Sequence, residues 1–143
     1  MTPTQARHVS HSFGRVFPFH KRLTDAFYST LFELAPDTRA LFPDDLSVQK
    51  QKLASTLQTV VQNLGKLDTI MAPVRALGVR HAGYGAAPAH YEAVGLALIT
   101  ALKQVTPGGL SEAEERAWVA AYNVLATAMI DAADAHRTQR ASA

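Results

Sequence analysis

Residues 77–95, LGVRHAGYGAAPAHYEAVG, contain the end of one predicted helix and the start of the next. In the first of these helices the side chains that recur at helical spacing end with a histidine, His81. The helix itself is predicted to end in the Gly83-Tyr84-Gly85 segment. Pro88 then begins a new helix, because a proline at the first helical position loses no hydrogen bond. Thr106-Pro107-Gly108-Gly109 ends that helix. The stretch therefore predicts two successive helices with an imidazole close to their junction.

Helix-start signals and helical spacing recur on both sides of this stretch. Thr2 opens a capping box for the first helix, and Ser111 opens another for the last helix. Apolar residues spaced by three and four predict helices over 21–34 and 47–64, with Gly65 as the C-cap of the second.

The chain as a whole is predicted to be all-α. A short helical corner over 36–42 lies between two prolines. No stretch alternates apolar and polar residues, and no hairpin signal separates two apolar runs, so no sheet is required. The polar tail over 136–143 is expected to fray.

Composition limits the classes of function. The 143 residues are 48% apolar and 18% charged, which predicts one folded domain over 1–143. The absence of cysteine excludes disulfides, thiolate metal sites and thiol catalysis. A net charge of +2 without a basic block makes nucleic-acid binding an unexpected role. No apolar run is long enough for a membrane span and no signal-peptide layout is present, so a cytoplasmic location is expected.

Three polar side chains stand on otherwise apolar stripes: Tyr28, Gln49 and His81. A buried polar group without a partner costs roughly 1–3 kcal/mol, so each of them needs a partner or a ligand. Each also has an ordinary structural explanation. Tyr28 could be an amphipathic core residue, Gln49 a solvated first-turn residue, and His81 a hydrogen-bonded core histidine.

Five segments together resemble the bacterial single-domain globins and the haem domain of flavohaemoglobins. The resemblance runs from the first helix to Trp118 and Tyr122, and it is carried by AFYSTLF at 26–32, ALFP at 40–43, QKQKL at 49–53, LGVRHAGYG at 77–85 and PAHYEAVG at 88–95. It implies a globin fold of about seven to eight helices around a haem pocket, with haem b as the cofactor.

The resemblance also implies roles for individual residues. His81 is the proximal ligand of the haem iron, and Phe42 packs on the porphyrin. Tyr28, Gln49 and Leu53 are the distal residues over the open face. Bound dioxygen develops negative charge, so a phenol and an amide that donate hydrogen bonds to it should slow its release.

For residues at the edge of the haem pocket the resemblance leaves alternative roles open. Lys52 and Arg80 are candidates to meet the haem propionates, and they are explained equally well as ordinary solvated charges. Tyr91 matches a proximal tyrosine that flavohaemoglobins pair with a glutamate on the last helix, but Ala133 stands where that glutamate is expected. This departure favours reversible binding over peroxidase-like chemistry. His8, His11, His20 and His136 are expected to be exposed, and His90 is expected to be a surface or haem-edge residue.

The function implied is reversible binding of dioxygen, and also of carbon monoxide and nitric oxide, for oxygen binding or transport. The alternative is a nitric oxide dioxygenase that depends on a separate reductase, since the chain has no flavin-binding or nucleotide-binding loop. A haem-free module of globin shape is disfavoured because the proximal histidine is present. The sequence leaves open whether the protein is a monomer or a homodimer.

Overall fold

The computed structural model describes residues 1–142, and nearly all of them are helical. The six α-helices are α1 (Pro3–Val16), α2 (His20–Leu34), α3 (Ser47–Gln62), α4 (Met71–Gly83), α5 (Pro88–Val105) and α6 (Glu112–Ser142). Three 3-10 helices connect them, at Phe17–Phe19, Pro36–Leu41 and Leu64–Ile70. No strand occurs within residues 1–142, so the all-α prediction is confirmed. The α-helices are fewer than the seven to eight expected, because three short connecting segments take the tighter 3-10 form.

Both predicted capping boxes are present. The Thr2 hydroxyl accepts a hydrogen bond from the Gln5 backbone N–H at 3.1 Å, and the Gln5 side chain accepts one from the Thr2 N–H at 2.9 Å. Ser111 and Glu114 make the same reciprocal pair at the start of α6, at 3.1 and 2.9 Å. Each box satisfies N–H groups that have no partner inside the helix.

The predicted end of α3 at Gly65 is wrong. The helix ends at Gln62, and Asn63 occupies the C-cap and donates from its side chain to the Thr59 carbonyl at 2.7 Å. The chain then continues as the 3-10 helix Leu64–Ile70, which is interrupted at Lys66. A polar side chain that bonds the last turn ended the helix earlier than a glycine would have.

The core forms where α2 packs on α5 and where α6 packs on α1 and α4. Its most completely buried large side chains are Leu23, Leu31, Leu102, Val9 and Val16. The Trp118 indole N–H lies within this core and donates to the Ser12 hydroxyl at 2.8 Å. Burial of this kind of apolar side chain contributes roughly 1.5–3 kcal/mol each, which makes the helix packing the main source of stability.

Helices α4 and α6 are unusually close where Gly78 faces Met129. A Cβ atom at position 78 would lie 2.4 Å from the Met129 carbonyl oxygen and 2.5 Å from its Cα. Only a glycine permits this approach. The contact fixes the position of α4 along α6 and the rotation of α4 about its own axis. The crossing lies one helical turn before His81 on the same helix.

The last helix continues through Ser142, with exposed side chains over residues 134–141. The expected fraying of the tail over 136–143 stays a prediction, as does the single-domain assignment, and Ala143 lies outside the described residues. No helix in the described part of the chain has the length and apolar character that crossing a membrane requires.

Candidate functional site

His81 lies in the last turn of α4 with its side chain half-buried. Its Nδ1 is 2.9 Å from the Leu77 carbonyl oxygen, so this nitrogen carries the proton and donates. Burial lowers the pKa of the imidazole below its ordinary value, and the adjacent Arg80 cation acts in the same direction, while the Leu77 hydrogen bond opposes both. The result is a neutral imidazole whose Nε2 lone pair is available, which is the form that ligates metals.

The donor set around His81 fits a metal carried by a macrocycle. Within residues 1–142, no group of three or more His, Cys, Asp or Glu side chains could hold a metal ion. A lone histidine imidazole is a donor that fits haem iron.

His90 provides a contrast with His81. Its Nδ1 accepts from the Ala87 backbone N–H at 3.0 Å, and its Nε2 donates to the Asp37 carboxylate at 2.9 Å. Both ring nitrogens are engaged, so His90 caps α5 and joins it to the 36–41 corner. The same hydrogen bond lowers the pKa of Asp37. The His90 side chain is 20% exposed, and its expected place at the surface or the haem edge stays a prediction.

Two other histidines are less exposed than expected. His8 and His20 are half-buried, whereas His11 and His136 are exposed. The His20 ring stacks on Phe17, with centroids 5.3 Å apart and planes 19° apart. The prediction of surface positions for His8 and His20 is therefore wrong, because helix packing covers part of each ring.

Tyr28 lies on the inner face of α2 and is 6% exposed. Its hydroxyl is 3.4 Å from the Gln49 backbone carbonyl and donates to it over this long distance. Burial raises the pKa of Tyr28 to about 12, so the phenol keeps its proton at neutral pH and remains a donor.

Phe42 follows the 36–41 corner and packs against the Tyr28 ring. The two centroids are 5.5 Å apart in an edge-to-face arrangement at 81°. Phe32 contacts both rings, at 5.8 Å from Phe42 and 6.0 Å from Tyr28. The structure thus brings Tyr28, Phe42 and the Gln49 backbone together, as expected for one side of a pocket.

Gln49 and Leu53 lie one turn apart near the start of α3, and both are half-buried. An ion pair between Lys50 and Asp25, at 2.8 Å, holds this part of α3 against α2. It is the backbone of Gln49 that meets Tyr28, which leaves the side-chain amide free of that contact. No hydrogen bond within residues 1–142 joins His81 to Tyr28 or to Gln49.

Tyr91 of α5 and Ala133 of α6 lie close together. With Ala82 they line a cavity of about 10 Å³, roughly the space of one water molecule. Burial raises the pKa of the Tyr91 phenol, and the Tyr91 carbonyl accepts a hydrogen bond from the Tyr122 hydroxyl at 2.6 Å. Ala133 is buried, so the place where flavohaemoglobins are expected to carry a glutamate holds a methyl group.

Lys52 and Arg80 are exposed side chains, so both explanations given for them stay open. Sequence reasoning missed two residues next to these side chains: Gly78, which faces Met129, and Arg39, which donates to the Phe42 carbonyl at 3.4 Å. A glycine one turn before a histidine carries no signal of a helix crossing. Arg39 stands in a corner where a solvated cation is the ordinary expectation.

Comparisons with known proteins identify the family of this chain. A family model described as Globin matches residues 25–129. A rice protein (Oryza sativa subsp. indica) named anaerobic nitrite reductase NSHB5 is 31% identical over 109 residues, which cover 72% of this chain and 75% of that protein. The flavohemoprotein of Bacillus subtilis is 30% identical over 111 residues, 76% of this chain, but the chain spans only 28% of its length.

Two solved structures match nearly the whole chain. A bacterial globin from Campylobacter jejuni superposes with a TM-score of 0.83 at 24% identity, covering 96% of this chain and 99% of its own. An engineered carbene transferase made from the RmaNOD protein of Rhodothermus marinus gives a TM-score of 0.88 at 26% identity, covering 99% of both chains. The predicted globin fold is confirmed. Globins bind haem and, through it, diatomic gases, and the matched model and relatives show that this chain belongs to the globin family.

Proposed function

We propose that this globin holds haem b through His81 and binds dioxygen, carbon monoxide and nitric oxide reversibly, in oxygen binding or transport within the cytoplasm. The observation that carries the proposal is the hydrogen bond from His81 Nδ1 to the Leu77 carbonyl, 2.9 Å long. It leaves Nε2 as the free donor of a half-buried, neutral imidazole.

Haem held by His81 would supply an iron that can bind a diatomic gas. The chain supplies the hydrogen-bond donors. Tyr28 holds its phenolic proton on a hydroxyl whose present acceptor is 3.4 Å away. Bound dioxygen would carry negative charge and could accept from this hydroxyl at shorter range, so the hydroxyl would lose little by leaving its long contact with the carbonyl. The Gln49 amide is a second donor of the same kind.

Apolar and charged residues complete the pocket. Phe42 provides a flat aromatic surface beside Tyr28, and Leu53 limits the space and excludes water. Lys52 and Arg80 are exposed cations that can meet two propionates at the mouth. On the His81 side, a neutral backbone carbonyl accepts from Nδ1, and a carboxylate would make the imidazole more strongly electron-donating. This arrangement favours reversible binding.

The second candidate is nitric oxide dioxygenation, in which nitric oxide, dioxygen and one electron give nitrate. The distal donors serve this reaction equally well, and several relatives are flavohemoproteins. The chain spans 28% of the length of those two relatives, and the electron source in this second proposal is a separate reductase. Ala133 in place of a carboxylate weighs against it.

The visible spectrum of the purified protein tests the proposal in its ferric, dithionite-reduced and carbon monoxide-exposed forms. We expect a Soret band and a high-spin ferrous form that shifts when gas binds. His81→Ala should lose the five-coordinate ferrous spectrum, and His11→Ala, which alters an exposed histidine, should retain it. A colourless protein that also does not bind added haem would overturn the proposal. An unchanged spectrum of His81→Ala would show that His81 is not the iron ligand.

Kinetic measurements with gases test the role of Tyr28 and separate the two candidate functions. Tyr28→Phe should speed dioxygen release by about fivefold or more, the factor that corresponds to one net hydrogen bond. Sustained NADH-dependent consumption of nitric oxide with an added reductase would favour the dioxygenase. A stoichiometric reaction that stops after one equivalent would favour oxygen binding or transport.

A further inference from the structure

Arg39 hydrogen-bonds the backbone of the segment that carries Phe42. Its Nη1 donates to the Phe42 carbonyl at 3.4 Å and to the Pro43 carbonyl at 3.0 Å, and its Nη2 donates to the Asp44 carbonyl at 3.1 Å. Residues 42–44 have no regular secondary structure, so their carbonyls lack the partners that a helix would provide. One half-buried side chain therefore supplies hydrogen bonds that backbone N–H groups would supply in a helix.

The same guanidinium also stacks on an aromatic ring. Its Cζ lies 5.2 Å from the centroid of Phe32. Phe32 in turn contacts Phe42 and Tyr28, which contact each other at 5.5 Å. These four side chains, Arg39, Phe32, Phe42 and Tyr28, form what we term the corner cluster.

The charge of Arg39 is not used in an ion pair with any described residue. Its contacts are three carbonyl oxygens and a ring face, which match the planar fork and flat surface of a guanidinium. A lysine ammonium is a compact, strongly hydrated point charge, and it cannot donate along the same directions while stacking. The cluster therefore requires the shape of arginine rather than its charge alone.

We propose that Arg39 is a positioning residue for the gas-binding side of the pocket. It fixes the Phe42 backbone directly and, through the rings of Phe32 and Phe42, the orientation of the Tyr28 ring. The hydroxyl at the end of that ring is thereby held where it can donate. The inference rests on the proposed function, because the benefit of a fixed donor is slower release of a bound gas.

The first experiment measures dioxygen dissociation from three variants. Arg39→Met keeps the apolar stem but removes the donors and the flat cation, and it should speed release by about threefold to fivefold, up to the factor for one net hydrogen bond. Arg39→Lys should fall between Arg39→Met and the natural protein. Arg22→Met is the matched control, because Arg22 stacks over the exposed Phe19 at 5.9 Å, and it should leave the rate unchanged.

A second comparison tests whether Arg39 affects dioxygen release by way of the Tyr28 hydroxyl. In a Tyr28→Phe background, Arg39→Met should change the rate by less than twofold, because the hydroxyl that it positions is gone. An equal change in both backgrounds would overturn the inference, and so would an Arg39→Lys variant that behaves like the natural protein. If Arg39→Met does not fold, the Arg39→Lys comparison in the two backgrounds carries the test.

A second readout does not depend on haem. Amide hydrogen exchange at residue 42 and over 44–46 should accelerate in Arg39→Met, and the ring-proton resonances of Tyr28 should move as the Phe42 and Phe32 rings reorient. Arg22→Met should change neither. If the natural protein takes up no haem, the proposed function fails, and these NMR measurements still decide the role of Arg39. Unchanged exchange and unchanged Tyr28 resonances would overturn it.

Discussion

Replacing Gly78 with alanine should force α4 and α6 apart. The new Cβ would lie 2.4 Å from the Met129 carbonyl oxygen and 2.5 Å from the Met129 Cα. Both are backbone atoms, so no side-chain rotation can relieve the contact. Reaching an ordinary separation of 3.4 Å requires a displacement of about 1 Å (3.4 minus 2.4) between two packed helices.

The magnitude follows from two opposing effects. Alanine in a helix interior is favoured over glycine by about 1 kcal/mol. Overpacking costs typically 1–3 kcal/mol, and contact with backbone puts this site near 3 kcal/mol. The net loss in the free energy of unfolding is then about 2 kcal/mol. For a domain of this size the melting temperature should fall by about 8 °C.

Urea unfolding followed by helical circular dichroism measures this loss. Gly14→Ala is the matched control, because position 14 is also helical and a Cβ there would meet nothing within 4 Å. It should gain about 0.5–1 kcal/mol from helix propensity alone. Equal stabilisation by both substitutions would refute the reasoning, since it would mean that the helices separate without cost. The displacement should also weaken haem retention, because His81 lies one turn along α4.

Two further substitutions test interactions between distant parts of the chain. Glu114 pairs with Arg15 at 2.7 Å, and this hydrogen bond lowers the pKa of Glu114 from 4.5 to about 2. A carboxyl whose pKa is lowered on folding stabilises the protein above pH 4.5, and this stabilisation is lost as pH falls toward 2. Glu114→Gln should therefore lower the free energy of unfolding by about 2 kcal/mol at pH 7, after allowance for solvent screening. Near pH 2 the variant and the natural protein should be equally stable. Urea titrations at both pH values check this, and a constant difference would contradict it. Ser12→Ala should cost about 1–3 kcal/mol, because the buried Trp118 N–H loses its acceptor. Fluorescence-monitored unfolding measures this against Ser10→Ala, an exposed control on the same helix, and equal midpoints would contradict the role of Ser12.

Features that depend on a few neighbouring residues could be predicted from the sequence. The capping boxes at Thr2 and Ser111 are complete within four residues, so their hydrogen bonds follow from local spacing. The helix start at Pro88 is of the same kind. The end of α3 was missed because Asn63 bonds the last turn through its side chain, a choice that competes locally with the Gly65 signal.

Features that depend on tertiary contact could not be predicted. Arg15 and Glu114 are 99 positions apart, and nothing in either neighbourhood indicates the other. The close approach at Gly78 exists only because α6 passes there. At the candidate site, the sequence indicated the imidazole of His81 and the phenol of Tyr28. The acceptor of that phenol, a backbone carbonyl, is set by how α2 and α3 pack.

The hydrogen bond between His81 and Leu77 has an entropic consequence. A free histidine side chain samples several rotamers and two tautomers, and ordering a side chain costs up to about 2 kcal/mol. In this chain folding itself selects one rotamer and one tautomer, since Nδ1 is engaged with the carbonyl of the preceding turn. The side chain is ordered on folding, so a metal bound at His81 as proposed would encounter one preorganised nitrogen, and less of its binding energy would be lost to ordering that side chain.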